Sequence, residues 1–154
     1  MTKATAVTPS AHKALARMLN YLALTQDMGL TLAPKDLNLA VFADASFNVH
    51  HDSHSHLGMF HTVGGSPLLA SSKKIQLMTT SSTEAETQAA FQAAKDAVWI
   101  LSLAKELGLP DTPVVLYQDN QSTIDIIVRG HAPSSRTRHW NVRVHTSTWK
   151  ISRW

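Results

Sequence analysis

The spacing of hydrophobic and polar residues predicts the secondary structure of this chain. Apolar residues recur three and four positions apart over residues 11–28, which is the spacing of an amphipathic helix, and Gly29 follows as a candidate C-cap. Within residues 37–44, Leu37, Leu39 and Val41 recur at every second position, which places them on one face of a strand. The first part of the chain is therefore predicted to form a helix and then a strand that ends at Asp44.

Two further extended segments, with the sequences LGMFHTV and PLLASS, come next. They are joined by Gly64 and Gly65, and a glycine pair between two apolar segments is typical of a tight turn. Strands that follow one another through short turns pair antiparallel. We therefore expect a three-stranded antiparallel meander in the first half of the chain.

A long helix is the clearest element of the sequence. It begins within SSTEAE and ends before GLP, where a glycine and a proline interrupt the helical pattern. Two pairs of residues at its start match the capping-box pattern, and they are Ser81 with Glu84 and Thr83 with Glu86. The pattern by itself allows either pair to cap the helix.

A fourth strand and a third helix complete the predicted elements. The apolar sequence VVLYQ predicts a strand that leads to Asp119, and QSTIDIIVR predicts a helix that Gly130 ends. A meander followed by helix, strand and helix favours a mixed α/β sheet flanked by helices over a purely parallel, doubly wound sheet. The 154 residues of the chain are a length typical of a single domain.

Three acidic residues lie at the ends of these elements. Asp44 ends the first strand, Glu86 lies in the first turns of the long helix, and Asp119 follows the fourth strand. Strand ends and a helix start can converge on one point, and Mg²⁺ prefers oxygen ligands from a few carboxylates. Two such ions ~4 Å apart can activate water and stabilise the leaving oxygen when a phosphodiester is cleaved. A structural role also fits, because acids cap helices and Glu86 occupies a capping-box position.

The amino-acid composition limits the metal ligands and the partners that the chain can have. The chain has no cysteine, so any metal must be bound by oxygen or imidazole. It contains no apolar run near the ~20 residues of a membrane-spanning helix and no apolar signal sequence, so we expect neither a membrane partner nor secretion. The net charge is only +3, but every charged residue after Asp125 is basic. This distribution favours a polyanionic partner, although a solvated basic tail would look the same.

Histidines are numerous, and several crowd one segment: His50, His51, His54, His56 and His61. A zinc or nickel site is one interpretation, because imidazole binds these ions and His54 and His56 would share one face of an extended strand. The simpler interpretation is that the segment is the linker between the first two strands, where polar residues are tolerated.

Four short motifs occur in order along the chain: FADAS, SSTEAE, YQDNQSTI and SSRTRHWNVR. They resemble, in order and spacing, the ribonuclease H domain of copia-type retrotransposon polyproteins, and SHSHLG and SSKK resemble the spacer between the first two motifs. AHKALARMLNYLALTQDMGL also resembles the helix that joins the reverse transcriptase to this domain. The resemblance covers residues 11–143 and implies a helical connection over residues 1–36 followed by a ribonuclease H-like domain over residues 37–154.

The resemblance implies hydrolysis of the RNA strand of an RNA/DNA hybrid by a two-metal endonuclease, with Asp44 and Asp119 as catalytic metal ligands. The remaining ligand is one of the two glutamates in STEAE. The family shows its catalytic glutamate as E-x-x-A at the start of a helix, and Glu86 with Ala89 fits this pattern whereas Glu84 does not. We therefore choose Glu86, and we expect two Mg²⁺ or Mn²⁺ ions as cofactors.

The resemblance also implies partners and a location. The partners are an RNA/DNA hybrid and the reverse transcriptase domain of the same polyprotein, and the location is the cytoplasm, in a virus-like particle, or the nucleus. A hybrid duplex is recognised through its shape, phosphates and 2′-hydroxyls rather than through base edges. The candidate nucleic-acid contacts are Lys73, Lys74, Asn120, Gln121, Ser122, Arg136 and Arg138.

One part of the family pattern is missing. Members have a fourth carboxylate in a P-T-E…A-D stretch that forms the last strand and helix of the fold, and this chain has HTSTWKISRW instead. We therefore expect that the last strand and helix are absent and that the second ion is bound more weakly than the first, so that a single bound ion is also an option. The alternative function is a catalytically inactive, nucleic-acid-binding remnant of the domain.

Overall fold

The computed structural model describes residues 8–129 and 149–153. The chain divides into two compact units, Met1–Thr31 and Leu32–Trp154. The first unit contains helix α1 (Pro9–Leu24), and the second contains the sheet and two further helices. None of these described helices combines the length and the apolar character needed to span a bilayer. The division into functional segments 1–36 and 37–154 stays a prediction.

Helix α1 begins after Thr8, whose side-chain oxygen accepts a hydrogen bond from the backbone N–H of Ala11 at 3.2 Å. Pro9 occupies the first helical position, where its missing N–H breaks no helical hydrogen bond. The helix ends earlier than the apolar periodicity predicts, and Thr25 rather than Gly29 is its C-cap. The Thr25 hydroxyl donates to a backbone carbonyl one turn back at 2.8 Å, a local bond that competes with continuation of the helix.

A five-stranded mixed sheet forms the second unit. Its elements are β1 (Leu39–Ser46), β2 (His56–Val63), β3 (Ser66–Lys74), α2 (Ser82–Glu106), β4 (Val114–Tyr117), α3 (Gln121–Arg129) and β5 (Trp149–Ser152). The strands lie in the order β3-β2-β1-β4-β5, with β1 antiparallel to β2, β2 antiparallel to β3, and β4 parallel to both β1 and β5. The predicted mixed α/β sheet, with an antiparallel meander and a parallel strand, is confirmed.

The last strand, which the sequence predicts to be absent, is present as β5. It pairs with β4 so that Trp149 lies opposite Val114, and Ile151 packs against the core. The prediction is wrong because it relied on a missing family motif, whereas a strand needs only backbone hydrogen bonds to a neighbour and side chains that fit one buried face. No helix follows β5 within residues 149–153, and the predicted helix end at Gly130 lies outside the described residues.

The core lies between α2 and the sheet. The α2 side chains that contribute most to it are small and almost completely buried: Ala85, Ala89, Ala90, Ala93 and Ala97. The sheet contributes larger side chains such as Leu39, Val41 and Leu116, and burial of each aliphatic side chain stabilises the fold by roughly 1.5–3 kcal/mol. Because alanine projects so little, the backbone of α2 can lie close to the strands. This packing brings the start of α2 towards the end of β1.

The turn between β2 and β3 also holds the segment that leads into β1. Gly64 has a φ of 55°, its N–H donates to the carbonyl of Asn38 at 3.0 Å, and its carbonyl accepts from the N–H of Lys35 at 3.1 Å. A Cβ at Gly64 would lie 2.7 Å from the backbone nitrogens of Lys35 and Asp36, which is too close for any side chain. The predicted glycine turn is thus confirmed. Its two hydrogen bonds hold residues 35–38, which lead into β1.

Candidate metal centre

Asp44 lies near the carboxyl end of β1. Side chains alternate along this strand, so that Val41 and Ala43 are buried in the core whereas Asp44 is exposed. The residue opposite Asp44 in β2 is Gly58, which adds no side chain beside the carboxylate. The carboxylate of Asp44 is therefore accessible from solvent.

The capping of α2 determines which of two glutamates enters the site. The hydroxyl of Ser81 accepts a hydrogen bond from the N–H of Glu84 at 3.1 Å. The carboxylate of Glu84 in turn accepts from the N–H and the hydroxyl of Thr80, at 2.6 and 2.8 Å. Glu84 is therefore part of the N-cap. Glu86 lies about 200° further around the helix axis and is only 7% exposed.

A tight turn between β4 and α3 presents Asp119. Gln118, at the end of the strand, is completely buried, and its side-chain carbonyl accepts from the N–H groups of Asp119 at 2.8 Å and Asn120 at 3.0 Å. The side-chain carbonyl of Asn120 then accepts from the N–H of Thr123 at 3.0 Å and caps α3. Both ends of the turn are thus fixed by bonds from side chains to backbone.

The three predicted acids meet at this point. Asp44, Glu86 and Asp119 each offer one carboxylate oxygen, and these oxygens all lie within 4.8 Å of one another. They come from β1, from the first turns of α2 and from the turn after β4, which are far apart in the sequence. Divalent cations bind carboxylate oxygens at about 2.0–2.6 Å, so oxygens less than about 5 Å apart can share one ion. The geometry therefore fits a metal ion.

The electrostatics of the cluster fit a cation as well. Burial, together with repulsion from the carboxylates of Asp44 and Asp119, raises the pKa of Glu86 from 4.5 to about 7. Hydrogen bonds from the side-chain amide of Gln118, at 3.3 Å, and from the backbone N–H of Ala45 partly oppose this rise in pKa. Among the described residues, none of the groups that shift this pKa is cationic. A divalent cation would relieve the repulsion among the three carboxylates.

The basic residues predicted to contact nucleic acid have different environments. Lys73 is exposed at the end of β3. Lys74, next to it, forms an ion pair with Asp52, which partly neutralises its charge. Arg136 and Arg138 lie outside the described residues. Of these two lysines, Lys73 is therefore the one whose charge is better placed to attract a phosphate.

The polar residues predicted to contact nucleic acid surround the start of α3. The side-chain carbonyl of Asn120 is used by the cap, and the side-chain amide of Gln121 donates to the carboxylate of Asp125 at 2.9 Å. Ser122 is exposed in the first turn of the helix. These residues lie directly after Asp119, and their contact with nucleic acid stays a prediction.

Among the described residues, the histidines of this segment do not come together as a group of three or more potential metal ligands. Nε2 of His50 lies 3.0 Å from Nδ1 of His56, and Nε2 of His56 lies 2.7 Å from the hydroxyl of Ser72. His54 is bonded elsewhere, with its Nδ1 2.9 Å from the backbone carbonyl of Asp52. Within the described parts of the chain, three or more potential metal ligands come within reach of one ion at the acidic cluster of Asp44, Glu86 and Asp119. The structure does not support a site built on His54 and His56.

His61 differs from the other histidines of the segment. It lies within β2, is completely buried, and its Nε2 is 3.1 Å from the carbonyl of Ala93 in α2. His61 therefore lies in the strand predicted from LGMFHTV and not in the linker before it. A histidine bonded to a helix carbonyl across the core can only be recognised once the two elements are packed together.

Sequence analysis did not identify Gln118 as part of the site. The residue joins the carboxylate of Glu86 to the turn that carries Asp119 through one side-chain amide. The available signal was a glutamine directly after an apolar strand and directly before an acid, in a place where most strands have an apolar residue.

No protein-family model matches the chain. It is 32% identical over 134 residues to the retrovirus-related Pol polyprotein from transposon TNT 1-94 of Nicotiana tabacum, a match that covers 86% of this chain and 10% of the relative. It is 38% identical over 110 residues to the Pol polyprotein from transposon RE2 of Arabidopsis thaliana, which covers 70% of this chain and 8% of the relative. The chain thus spans about a tenth of the length of the curated relatives it matches.

Two solved structures are also similar. A ribonuclease H1 isolated from compost by a metagenomic approach aligns with a TM-score of 0.60 and 13% identity, covering 77% of this chain and 84% of that chain. The prototype foamy virus protease-reverse transcriptase aligns with a TM-score of 0.50 and 14% identity, covering 80% of this chain and 18% of that chain. At these identities the likeness concerns the fold alone.

Proposed function

This chain is a homologue of the Pol polyproteins of copia-type retrotransposons and has the ribonuclease H fold, and we propose that it hydrolyses the RNA strand of RNA/DNA hybrids. The observation that carries the proposal is the convergence of Asp44, Glu86 and Asp119, whose carboxylate oxygens lie within 4.8 Å of one another. These residues would bind Mg²⁺ or Mn²⁺. The chemistry is endonucleolytic cleavage of a phosphodiester.

The residues of the cluster have separate tasks in this mechanism. When bound, divalent ions supply a water of lowered pKa and stabilise the negative charge on the leaving oxygen. Asp44 and Asp119 are exposed, so they can face both a cation and a scissile phosphate. Glu86 is buried and belongs to α2, so its carboxylate would contact the cation from the buried side of the site. Its carboxyl group, with a pKa of about 7, would have to lose its proton to act as a ligand of the cation.

The number of ions depends on the ligands available. Three carboxylates can hold one ion firmly, and the cluster formed by the described residues contains three acids. We therefore expect two ions during hydrolysis with the second bound more weakly, which predicts a higher Mg²⁺ requirement for cleavage than for binding of the first ion. A single-ion site would leave the chain as an inactive remnant that still binds nucleic acid.

The relatives suggest the setting in which the reaction occurs. They are Pol polyproteins, so the proposed partner of this chain is the reverse transcriptase domain of the same polyprotein, and the hybrid is the product of reverse transcription. The proposed location is a virus-like particle in the cytoplasm, or the nucleus.

A cleavage assay tests the proposal. The full chain is incubated with a hybrid whose RNA strand is labelled at its 5′ end, with Mg²⁺ or Mn²⁺, and the products are separated on a denaturing gel. We expect internal cuts in the RNA of the hybrid, no cuts in the same RNA paired with RNA, and no cuts when EDTA is present. Salt-sensitive binding without any cutting would support the remnant instead, and absence of both would contradict both functions.

The exposed Lys73 offers a separate test of hybrid binding. Lys73→Ala is expected to weaken hybrid affinity about three- to fivefold near 0.1 M salt and to lower the slope of log K against log salt by about 0.9, because one phosphate contact is lost. Fluorescence anisotropy in EDTA measures both quantities without cleavage. Lys95→Ala, in the middle of α2, is the matched control and should change neither, and an unchanged salt slope for Lys73→Ala would remove this residue from the interface.

A further inference from the structure

Gln118 is a polar residue with no exposed surface, and it directly follows β4. Such residues are normally apolar, because a buried amide must satisfy both its donor and its acceptor groups. The side-chain amide of Gln118 does so with Glu86 in α2 and with the turn at Asp119 and Asn120. Its backbone N–H is bonded separately, to Ser152 in β5.

The donor side of the amide contacts a member of the acidic cluster. Nε2 of Gln118 donates to Oε2 of Glu86 at 3.3 Å. A glutamate side chain has three rotatable bonds, so burial alone leaves the orientation of its carboxylate undetermined. The bond from Gln118 restricts that orientation.

The acceptor side of the same amide contacts the other end of the cluster. Oε1 of Gln118 accepts from the N–H of Asp119 at 2.8 Å and from the N–H of Asn120 at 3.0 Å. These two bonds fold the chain into the turn that carries the Asp119 carboxylate. The backbone N–H of Gln118 also donates to the carbonyl of Ser152 at 3.1 Å. This bond to β5 fixes the backbone position from which the side chain of Gln118 extends.

We propose that Gln118 is a positioning residue that sets the separation of the Glu86 and Asp119 carboxylates for cation binding, with β5 as its anchor. An amide is suited to this task because it donates and accepts at once, whereas a carboxylate only accepts and an apolar side chain does neither. Residues that orient metal ligands in this way typically change metal affinity about 10–100-fold when they are replaced. The inference rests on the proposed function, since it assumes that the cluster binds a divalent ion.

Gln118→Met tests the inference, because methionine has a similar length and no amide. Calorimetric titration of the full chain with MnCl₂ is expected to show a Kd at least about tenfold higher than that of the unchanged protein. In hybrid cleavage, kcat should fall by a similar factor while KM for the hybrid stays within about twofold, since Gln118 is buried and cannot contact the substrate. Gln92→Met, which removes a hydrogen bond to Asp96 in the middle of α2, is the matched control and should change none of these quantities.

The outcomes separate this inference from the proposed function. If the unchanged protein does not bind Mn²⁺, both are overturned. If it binds Mn²⁺ and cleaves the hybrid while Gln118→Met binds the ion equally tightly, only the positioning role is overturned. A drop in kcat with an unchanged Kd for Mn²⁺ also overturns it, because the loss would then have another origin.

A second measurement keeps the inference testable if Gln118→Met does not fold. In the unchanged, ¹⁵N-labelled protein, the side-chain amide resonance of Gln118 should shift on addition of Mg²⁺ and saturate together with the backbone amide of Asp119. The side-chain amide of Gln92 should stay in place. A Gln118 resonance that does not respond to saturating Mg²⁺ would contradict a link between this amide and the ion.

Discussion

Asp44→Asn is expected to lower the rate of hybrid cleavage by about a thousandfold or more, which corresponds to roughly 4 kcal/mol of lost transition-state stabilisation. Asparagine has the same shape as aspartate but no charge, so the variant tests the charge alone. Asp44 is exposed and lies in the cluster with Glu86 and Asp119, where its carboxylate is one of three available ligands. Without it, the site keeps two carboxylates and loses much of its attraction for a divalent ion.

Two comparisons show whether the loss arises at the site. Asp111→Asn, an exposed acid in the loop before β4, is the matched control and should cleave at the normal rate. The midpoint of thermal unfolding should not fall in Asp44→Asn, because removal of one negative charge reduces the repulsion between Glu86 and its neighbouring carboxylates. Cleavage by Asp44→Asn at more than a tenth of the normal rate would contradict the role of this cluster.

The second large effect is a pH-dependent loss of stability caused by Glu86. The folded chain holds the Glu86 proton up to a pKa of about 7, whereas the unfolded chain releases it near the ordinary value of 4.5. Between these values the folded state binds more protons, so a rising pH favours unfolding. The contribution is fully present below pH 4.5, is lost as the pH approaches 7, and amounts to roughly 3 kcal/mol.

Glu86→Gln isolates this contribution, because glutamine keeps the shape and cannot ionise. In urea unfolding with EDTA, the free energy of unfolding of Glu86→Gln relative to the unchanged protein should rise from pH 4 to pH 8 by roughly 3 kcal/mol. Addition of Mn²⁺ at pH 8 should stabilise the unchanged protein and have little effect on the variant. Glu106→Gln, at the exposed end of α2, should follow the unchanged protein at every pH. If the curve of Glu86→Gln runs parallel to that of the unchanged protein, the raised pKa is refuted.

The two predictions are linked through one electrostatic balance. Asp44 contributes to the raised pKa of Glu86, so Asp44→Asn should also weaken the pH dependence of stability that Glu86 causes. The magnitude of that weakening would measure the interaction between the two carboxylates. A cation acts in the same direction in the unchanged protein, because it lowers the repulsion among all three acids.

The order of the elements and the identity of the clustered acids were accessible from the sequence. Alternation of apolar residues predicted β1, and the glycine pair predicted the turn at Gly64, because both depend on residues that are neighbours in the chain. Asp44, Glu86 and Asp119 could be selected because each lies at the end of a predicted element and matches a family motif. The family resemblance also favoured Glu86 over Glu84 before the helix cap was known.

Contacts between distant parts of the chain decided the rest. The strand β5 carries no motif, and only its pairing with β4 makes it a strand. His61 is buried because α2 packs on β2 and offers the carbonyl of Ala93, although histidine is a polar residue. Gln118 joined the site because packing placed Glu86 on one side of its amide and the backbone of Asp119 on the other. Periodicity in a sequence indicates which face of a helix or strand is buried. The hydrogen-bond partner of a buried polar group depends instead on which elements pack against each other, and periodicity carries no information about that packing.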